Sequence, residues 1–463
     1  MARLRALSPA LTGWLSAASS EGGGTGQSPF IGPLNSRQAW LRICVYSLFF
    51  CSAFSIAGVT AATLLLYLFA LYHAWREPPR RTLPGWLLVG ILTLPAVAVV
   101  CALVNPSPLA NVIQLRKEYS YFLPLVLLPA LALMQSRRLL IVLMIPVVLM
   151  AAYALIQYFW GVDWIRPEGK KLVRPYTLAG GTVYFGKGTF THHLTFSGYM
   201  LLNLLLFAGL ALRLPGRDRL LWGVGAVMAG IGVIVALGRS GWIGMAVGLL
   251  LLVLGFPRRI WLPLGVAVAF VVVAGSAVLT GWHQLVIPSN QEWGLVERFR
   301  NTSLRHDRER LYLWESALLG IQDRPVFGVG YGNDKLYMRV YRKQVTQKRH
   351  YRFSVRPSTH SHNVYLQVAF ELGLLGLVAY LALWGSILYW SAHWVRRAGD
   401  GWRFETALLS GAAAALTGSM VAGFFENNFF DAEVRTMIFI LMGLALHSGL
   451  RIRAGLNAGK STA

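Results

Sequence analysis

Apolar runs long enough to form helices recur from residue 38 almost to the C-terminus, parted by short polar connections. A membrane-spanning helix takes about 20 such residues. The pattern predicts twelve spans, near 38–55, 57–75, 84–104, 119–135, 139–160, 196–213, 219–237, 240–256, 260–281, 363–393, 404–425 and 433–450. The run from 38 to 75 accommodates two helices, with Ser55-Ile56-Ala57-Gly58 as the turn between them. Two longer stretches, 161–195 and 282–361, interrupt the series. In the second, Leu311, Trp314, Leu318 and Leu319 recur at helical spacing. Asp323-Arg324-Pro325 and the glycines at 328, 330 and 332 then end that helix. The predicted fold is all-α, a polytopic bundle of about twelve transmembrane helices with a large helical loop.

Composition agrees. Of 463 residues, 55% are apolar and 13% are charged, about half the ~25% charge of a soluble domain; the mean hydropathy is +0.52. Forty-three basic against nineteen acidic residues leave a net charge of +24. In a soluble chain that excess would point to nucleic acid, but cytoplasmic loops of membrane proteins collect Lys and Arg. With the N-terminus inside, the connections at 76–81, 137–138, 213–219, 258–259 and 396–397 and the Arg451/Arg453 tail all fall on one side, and each is short and basic. The expected topology places both termini in the cytoplasm, and no nucleic-acid partner is expected. Cys44, Cys51 and Cys101 lie within apolar runs, so no extramembrane disulfide framework exists. Residues 1–37 lack the sustained apolar stretch of a cleavable signal and read as a flexible tail. The expected organisation is this tail, helices one to nine over 38–281 with the outer loop 161–195, a basic loop over 282–361, helices ten to twelve over 363–450, and a second cytoplasmic tail over 451–463.

The opposite side is basic where the topology rule gives no reason for it. Residues 282–361 hold fourteen Lys/Arg against seven acids, and 161–195 hold five against two. An anionic ligand is the simplest account. Attraction to membrane lipid head groups needs only a polybasic patch, whereas aromatics and ordered motifs are interleaved here. Arg239 sits between two apolar spans, where a cation costs at least about 2.5–3.5 kcal/mol and is a functional candidate by default. Arg310 and Trp314 lie one helical turn apart. The stretch Thr359-His360-Ser361-His362-Asn363 returns the chain to the membrane, and His titrates near neutrality, as a base for a hydroxyl requires. Arg166, Arg174, Lys187 and Arg339 are further cations, and His192-His193 closes the first outer loop. A satisfied structural pair is the plainer reading of those two histidines. Glu426 and Asp431 supply acids at the last outer turn, to orient a His or ligand or to cap helices. No outward set of Asp, Glu or Cys completes a metal site at ligand spacing. The glycine-rich stretch at 328–332 lacks the strand–loop–helix order and Lys-Ser/Thr ending of a nucleotide loop.

Over residues 38–450 the chain resembles the O-antigen ligase/polymerase superfamily of bacterial envelope glycosyltransferases, most closely the O-antigen ligases. The likeness rests on Arg239-Ser240, on Arg310, Trp314, Pro325, Gly328 and Gly330, and on His362-Asn363 followed by Gly373 and Gly376. The resemblance implies a metal- and cofactor-independent, inverting transfer on the periplasmic face of the inner membrane. The donor would be O-antigen on undecaprenyl diphosphate, and the acceptor a sugar hydroxyl of lipid A–core. Arg310 and Arg239 would meet the charge on the diphosphate, with Arg166, Arg174, Lys187 and Arg339 as weaker candidates. His362 would be the general base, helped by His360 or Asn363, and Trp314 and His193 would line the substrate site. An O-antigen polymerase or a protein O-oligosaccharyltransferase would use the same donor. A transporter for an anionic lipid is the alternative of another class, but transporters tend to show repeats and midplane sites, and neither is seen in this sequence.

Overall fold

A computed structural model describes residues 36–76, 83–106, 108–165, 175–178, 181–254, 304–350, 353 and 360–461. In chain order the helices are α1 (Ser36–Cys51), α2 (Ile56–Arg76), α3 (Gly85–Val104), α4 (Pro108–Leu115), α5 (Leu123–Leu131), α6 (Ser136–Trp160), α7 (His193–Arg213), α8 (Gly216–Val235) and α9 (Arg239–Val253). After these come α10 (Leu304–Asp323), α11 (Asp334–Arg349), α12 (Val364–Arg397), α13 (Arg403–Ala422) and α14 (Ala432–Ser461). A short antiparallel hairpin, β1 (Pro175–Leu178) and β2 (Gly181–Tyr184), lies between α6 and α7; the sequence pattern did not predict it. Chain contacts divide at Trp40, and the helical bundle forms within Leu41–Ala463.

The protein is an all-α polytopic membrane protein. Seven helices among the described residues are long and apolar enough to cross a membrane: α3, α6, α7, α8, α12, α13 and α14. Four shorter apolar helices stand where the spans 38–55, 57–75, 119–135 and 240–256 were expected, and 260–281 lies outside the described residues. The expected count of twelve is therefore not reached on length. Helix α9, at 15 residues, rises only about 22 Å. The segment before α5 is a tighter 3-10 turn over Arg116–Phe122, and Pro124 and Pro129 lie inside α5. The turn between α1 and α2 falls at 52–55, slightly ahead of its expected place.

Helix α7 is the axis of the bundle. Every residue from Thr195 to Leu210 is buried, as expected for a helix apolar on all sides, and α8, α9, α13 and α14 pack around it. Small residues allow the close approach that membrane helices use in place of a hydrophobic drive. A Cβ on Gly411 of α13 would meet the Leu206 carbonyl at 2.5 Å, and one on Gly244 of α9 would meet the Gly418 carbonyl at 2.5 Å. Ion pairs link several helix ends. Arg137 of α6 pairs with Asp218 of α8 at 2.6 Å, and Arg451 of α14 pairs with Glu405 of α13 at 2.8 Å.

Helices α10 and α11 form a hairpin around a small core of Ala317, Val329, Met338 and Tyr341, closed by Phe370 of α12. The glycine-rich stretch between them has a structural task. Helix α12 breaks at Gly373, whose φ of 69° and ψ of −174° lie in a region open essentially to glycine alone. The opened backbone is bound by the incoming chain: Val329 N donates to Phe370 O (2.8 Å), Gly330 N to Glu371 O (3.0 Å), and Leu374 N to Pro325 O (2.7 Å). A Cβ on Gly373 would overlap the Val326 carbonyl. Gly373→Ala adds about 1–3 kcal/mol of backbone strain to that overlap. Its expected outcome is a lower apparent Tm in detergent and a smaller monodisperse fraction; an unchanged melting curve would mean the break does not fix the hairpin.

Candidate functional site

The chain returns to the bundle through His360–Asn363, and nearly every polar group there is tied down. Asn363 caps α12, its Oδ1 accepting from Leu366 N (2.9 Å) while its Nδ2 donates to Phe424 O (3.0 Å). Val364 N donates to Gly423 O (2.8 Å). Ser361 donates its N–H to Gln367 Oε1 (3.2 Å) and its hydroxyl to the Asn363 carbonyl (2.9 Å). Between these anchors His362 is held at φ 51°, a left-handed conformation that costs a non-glycine residue about 1–3 kcal/mol and persists only where its surroundings impose it.

The imidazole is oriented by a residue from another connection. His362 Nδ1 lies 2.8 Å from Glu426 Oε1. Asn427 N donates to the same oxygen at 3.1 Å, and the second oxygen faces Arg310 Nη2 at 3.4 Å. Arg310 also donates through Nη1 to Phe425 O (2.8 Å), so two of its donor groups grip the turn after α13. The Glu426 side chain is 5% exposed, against 21% for His362 and 31% for Arg310. The carboxylate is sealed, and both its partners stay reachable.

Burial alone would raise the Glu426 pKa, but His362, Arg310 and His360 outweigh it and hold the carboxyl well below the usual carboxylate range. His360 is pushed down to about 4, by burial first and then by His362. Its Nδ1 accepts the His362 N–H at 3.2 Å, a contact that requires an unprotonated nitrogen. Glu426 also completes what the sequence did not. Ligand atoms of His360, His362 and Glu426 lie within 4.8 Å of one another, close enough to share a metal ion.

The structure brings Arg310, His360, His362 and Asn363 together and distributes the other predicted site residues. Trp314 stands one turn beyond Arg310, its buried indole N–H without a hydrogen-bond partner among the described residues. Arg239 opens α9 after Gly238, on a turn where Leu237 has φ 52°. His193 braces that turn, its Nδ1 2.7 Å from Ala236 O and its ring 4.4 Å from Phe185, and His192 caps α7. Lys187 pairs with buried Asp163 at 3.0 Å. Arg339 lies exposed on α11. Arg166 and Arg174 lie outside the described residues.

Fold and site define a multi-pass membrane protein whose polar centre, a carboxylate binding an arginine and a histidine, lies where loops meet helix ends. Residues 224–381 match the family model described as O-antigen ligase, and they include Arg239, Arg310, Trp314, His360, His362 and Asn363. Over 157 residues the chain is 29% identical to the O-antigen ligase of Salmonella typhimurium, which covers 34% of this chain. The match spans 36% of that relative's length. Residues 224–381 are thus the part of the chain that is similar to O-antigen ligases; Glu426 lies beyond it.

Asp431, just past the turn, accepts from the Thr195 hydroxyl at 2.8 Å. Burial lifts its pKa from 3.8 to about 7, against the lowering effect of that hydrogen bond. A carboxyl whose pKa rises on folding adds stability that is complete below its unfolded value and is lost as pH climbs through the folded value. Asp431→Asn is expected to flatten the pH dependence of the apparent Tm between about 4 and 7 and to be the more stable form at neutral pH. Parallel melting curves for both proteins across that range would remove Asp431 as the source.

Proposed function

We propose that the chain is an O-antigen ligase that moves a glycan from undecaprenyl diphosphate to a sugar hydroxyl of lipid A–core. It would act at the outer face of the bacterial inner membrane, with both termini in the cytoplasm. The observation that carries this reading is the linkage of His362 and Arg310 through buried Glu426, within a chain similar to O-antigen ligases. Glu426 accepts a hydrogen bond from the Nδ1–H of His362 and so leaves Nε2, as a lone pair, to the acceptor. Nε2 takes the hydroxyl proton as the oxygen attacks the anomeric carbon. The bond from that carbon to the diphosphate oxygen breaks, and the diphosphate leaves with its electron pair. Arg310 and Arg239 supply permanent cationic donors to the developing charge. The imidazolium that results is stabilised by Glu426.

The transporter alternative is less well supported, because transporters tend to be built from repeats and the sequence shows none. A polymerase would share the leaving-group chemistry and differ in acceptor.

The test uses a host that makes lipid-linked O-antigen but lacks its own ligase. Wild type is expected to give a lipopolysaccharide ladder on lipid A–core. His362→Ala should reduce transfer by about 10²–10⁴-fold while remaining in the membrane at normal abundance. Glycan left on the lipid carrier with wild type present would oppose the ligase reading, and growth of the lipid-linked chain in a polymerase-deficient host would identify a polymerase.

The proposed transfer needs no metal, since Arg310 already balances Glu426 and cationic donors meet the leaving group. Purified protein is expected to keep full transfer in chelator. A loss restored by a divalent cation would instead assign His360, His362 and Glu426 to metal binding.

A further inference from the structure

Beside the histidines lies a second polar space that the proposed chemistry does not use. A cavity of about 380 Å³ is bounded by the α10–α11 connection, the first turns of α12 and the turn before α14. That volume falls in the lower part of the roughly 300–1,000 Å³ range of small-molecule sites. Asp334, Gln367, Asn427 and Asp431 line it, with Phe430 adding an aromatic ring. At its floor Arg435 pairs with Glu118 at 2.8 Å, and the Tyr331 hydroxyl donates to the same carboxylate.

Its lining differs in chemistry from the Arg310 side. Four carboxylates, of Glu118, Asp334, Glu371 and Asp431, face two cations, Lys335 and Arg435. A neutral group rich in hydroxyls would find both acceptors and donors there. Part of the network is already engaged: Gln367 Nε2 donates to Glu371 Oε1 (2.7 Å) and to Asp334 Oδ2 (3.4 Å). Asn427 is only 6% exposed, and its Oδ1 has no hydrogen-bond partner among the described residues. A buried acceptor left open in a cavity wall is a place where a ligand's donor completes the structure.

The cavity also adjoins the reacting groups. His360 lines it with its ring centroid 4.4 Å from that of His362, and Asn427 in its wall donates through its backbone N–H to the carboxylate that orients His362. We infer that this cavity is the subsite for the terminal sugar of the acceptor, with Asp334, Asn427 and Asp431 reading its hydroxyls beside the His362–Glu426 pair. The inference rests on the glycosyl-transfer reading of the site. It divides the site in two, with diphosphate at Arg310 and acceptor sugar among the carboxyl and amide groups.

The experiment measures initial transfer rates with purified full-length protein in detergent. Undecaprenyl-diphosphate-linked O-antigen and lipid A–core from a ligase-deficient strain are varied in turn. Asp334→Asn is expected to raise the half-saturating concentration of lipid A–core about tenfold, the scale of one lost hydrogen bond, with donor half-saturation unchanged. Asp431→Asn should do the same, and it carries the test if Asp334→Asn fails to elute as a folded species. A rise confined to the donor would place the donor's sugar in the cavity and overturn the assignment, as would unchanged dependence on both substrates. No transfer by wild type would overturn the glycosyl-transfer reading itself, an outcome visible before any variant is assayed.

Discussion

A single buried carboxylate joins three parts of the chain that are far apart in sequence. Glu426 receives Arg310 from the α10–α11 hairpin and His362 from the re-entry segment, while the backbone beside it binds Asn363 and Val364. A carboxylate so sealed is tolerated only when paired and hydrogen-bonded, and removing one partner of a buried pair strands the other, at about 3–5 kcal/mol. The geometry of the histidine, the reach of the arginine and the entry angle of α12 all follow from satisfying that one charge. The left-handed backbone of His362 is the local cost of the arrangement.

The break in α12 is the second constraint. Opening a helix leaves peptide groups without partners, and here the turns from Pro325 to Gly330 supply them. The glycines of that stretch and Gly373 therefore form one device: Gly328 and Gly330 keep positive φ so the backbone can lie against the break. The α10–α11 hairpin is thereby fixed to a membrane helix by main-chain bonds, and Arg310 is carried on a rigid support.

Much of the fold was legible because membrane helices declare themselves by length and apolarity. Eleven expected spans coincide with helical segments, and the end of α10 at Asp323 falls where the Asp-Arg-Pro breaker predicted. The failures have local causes. Helix α9 and the Arg116–Leu131 region are too short or too irregular to meet a length criterion. In the site, His362, Asn363 and Arg310 stood out because charge and polarity are conspicuous beside apolar spans. Glu426 was visible as an acid at the last outer turn, but its role depends on a contact across 64 positions, which no local spacing reveals. Lys187 shows the converse. It read as one of many outward cations, yet buried Asp163 already holds it.

The order of the chain gives this centre a further property. The arginine and histidine are synthesised and inserted well before the carboxylate that unites them, which arrives only with the connection between the last two helices. Until α13 has been threaded and its following turn has folded back, the imidazole lacks its orienting partner and the guanidinium lacks its anchor. A partly inserted chain therefore carries the arginine and the histidine but not the centre, which assembles only once that turn is in place.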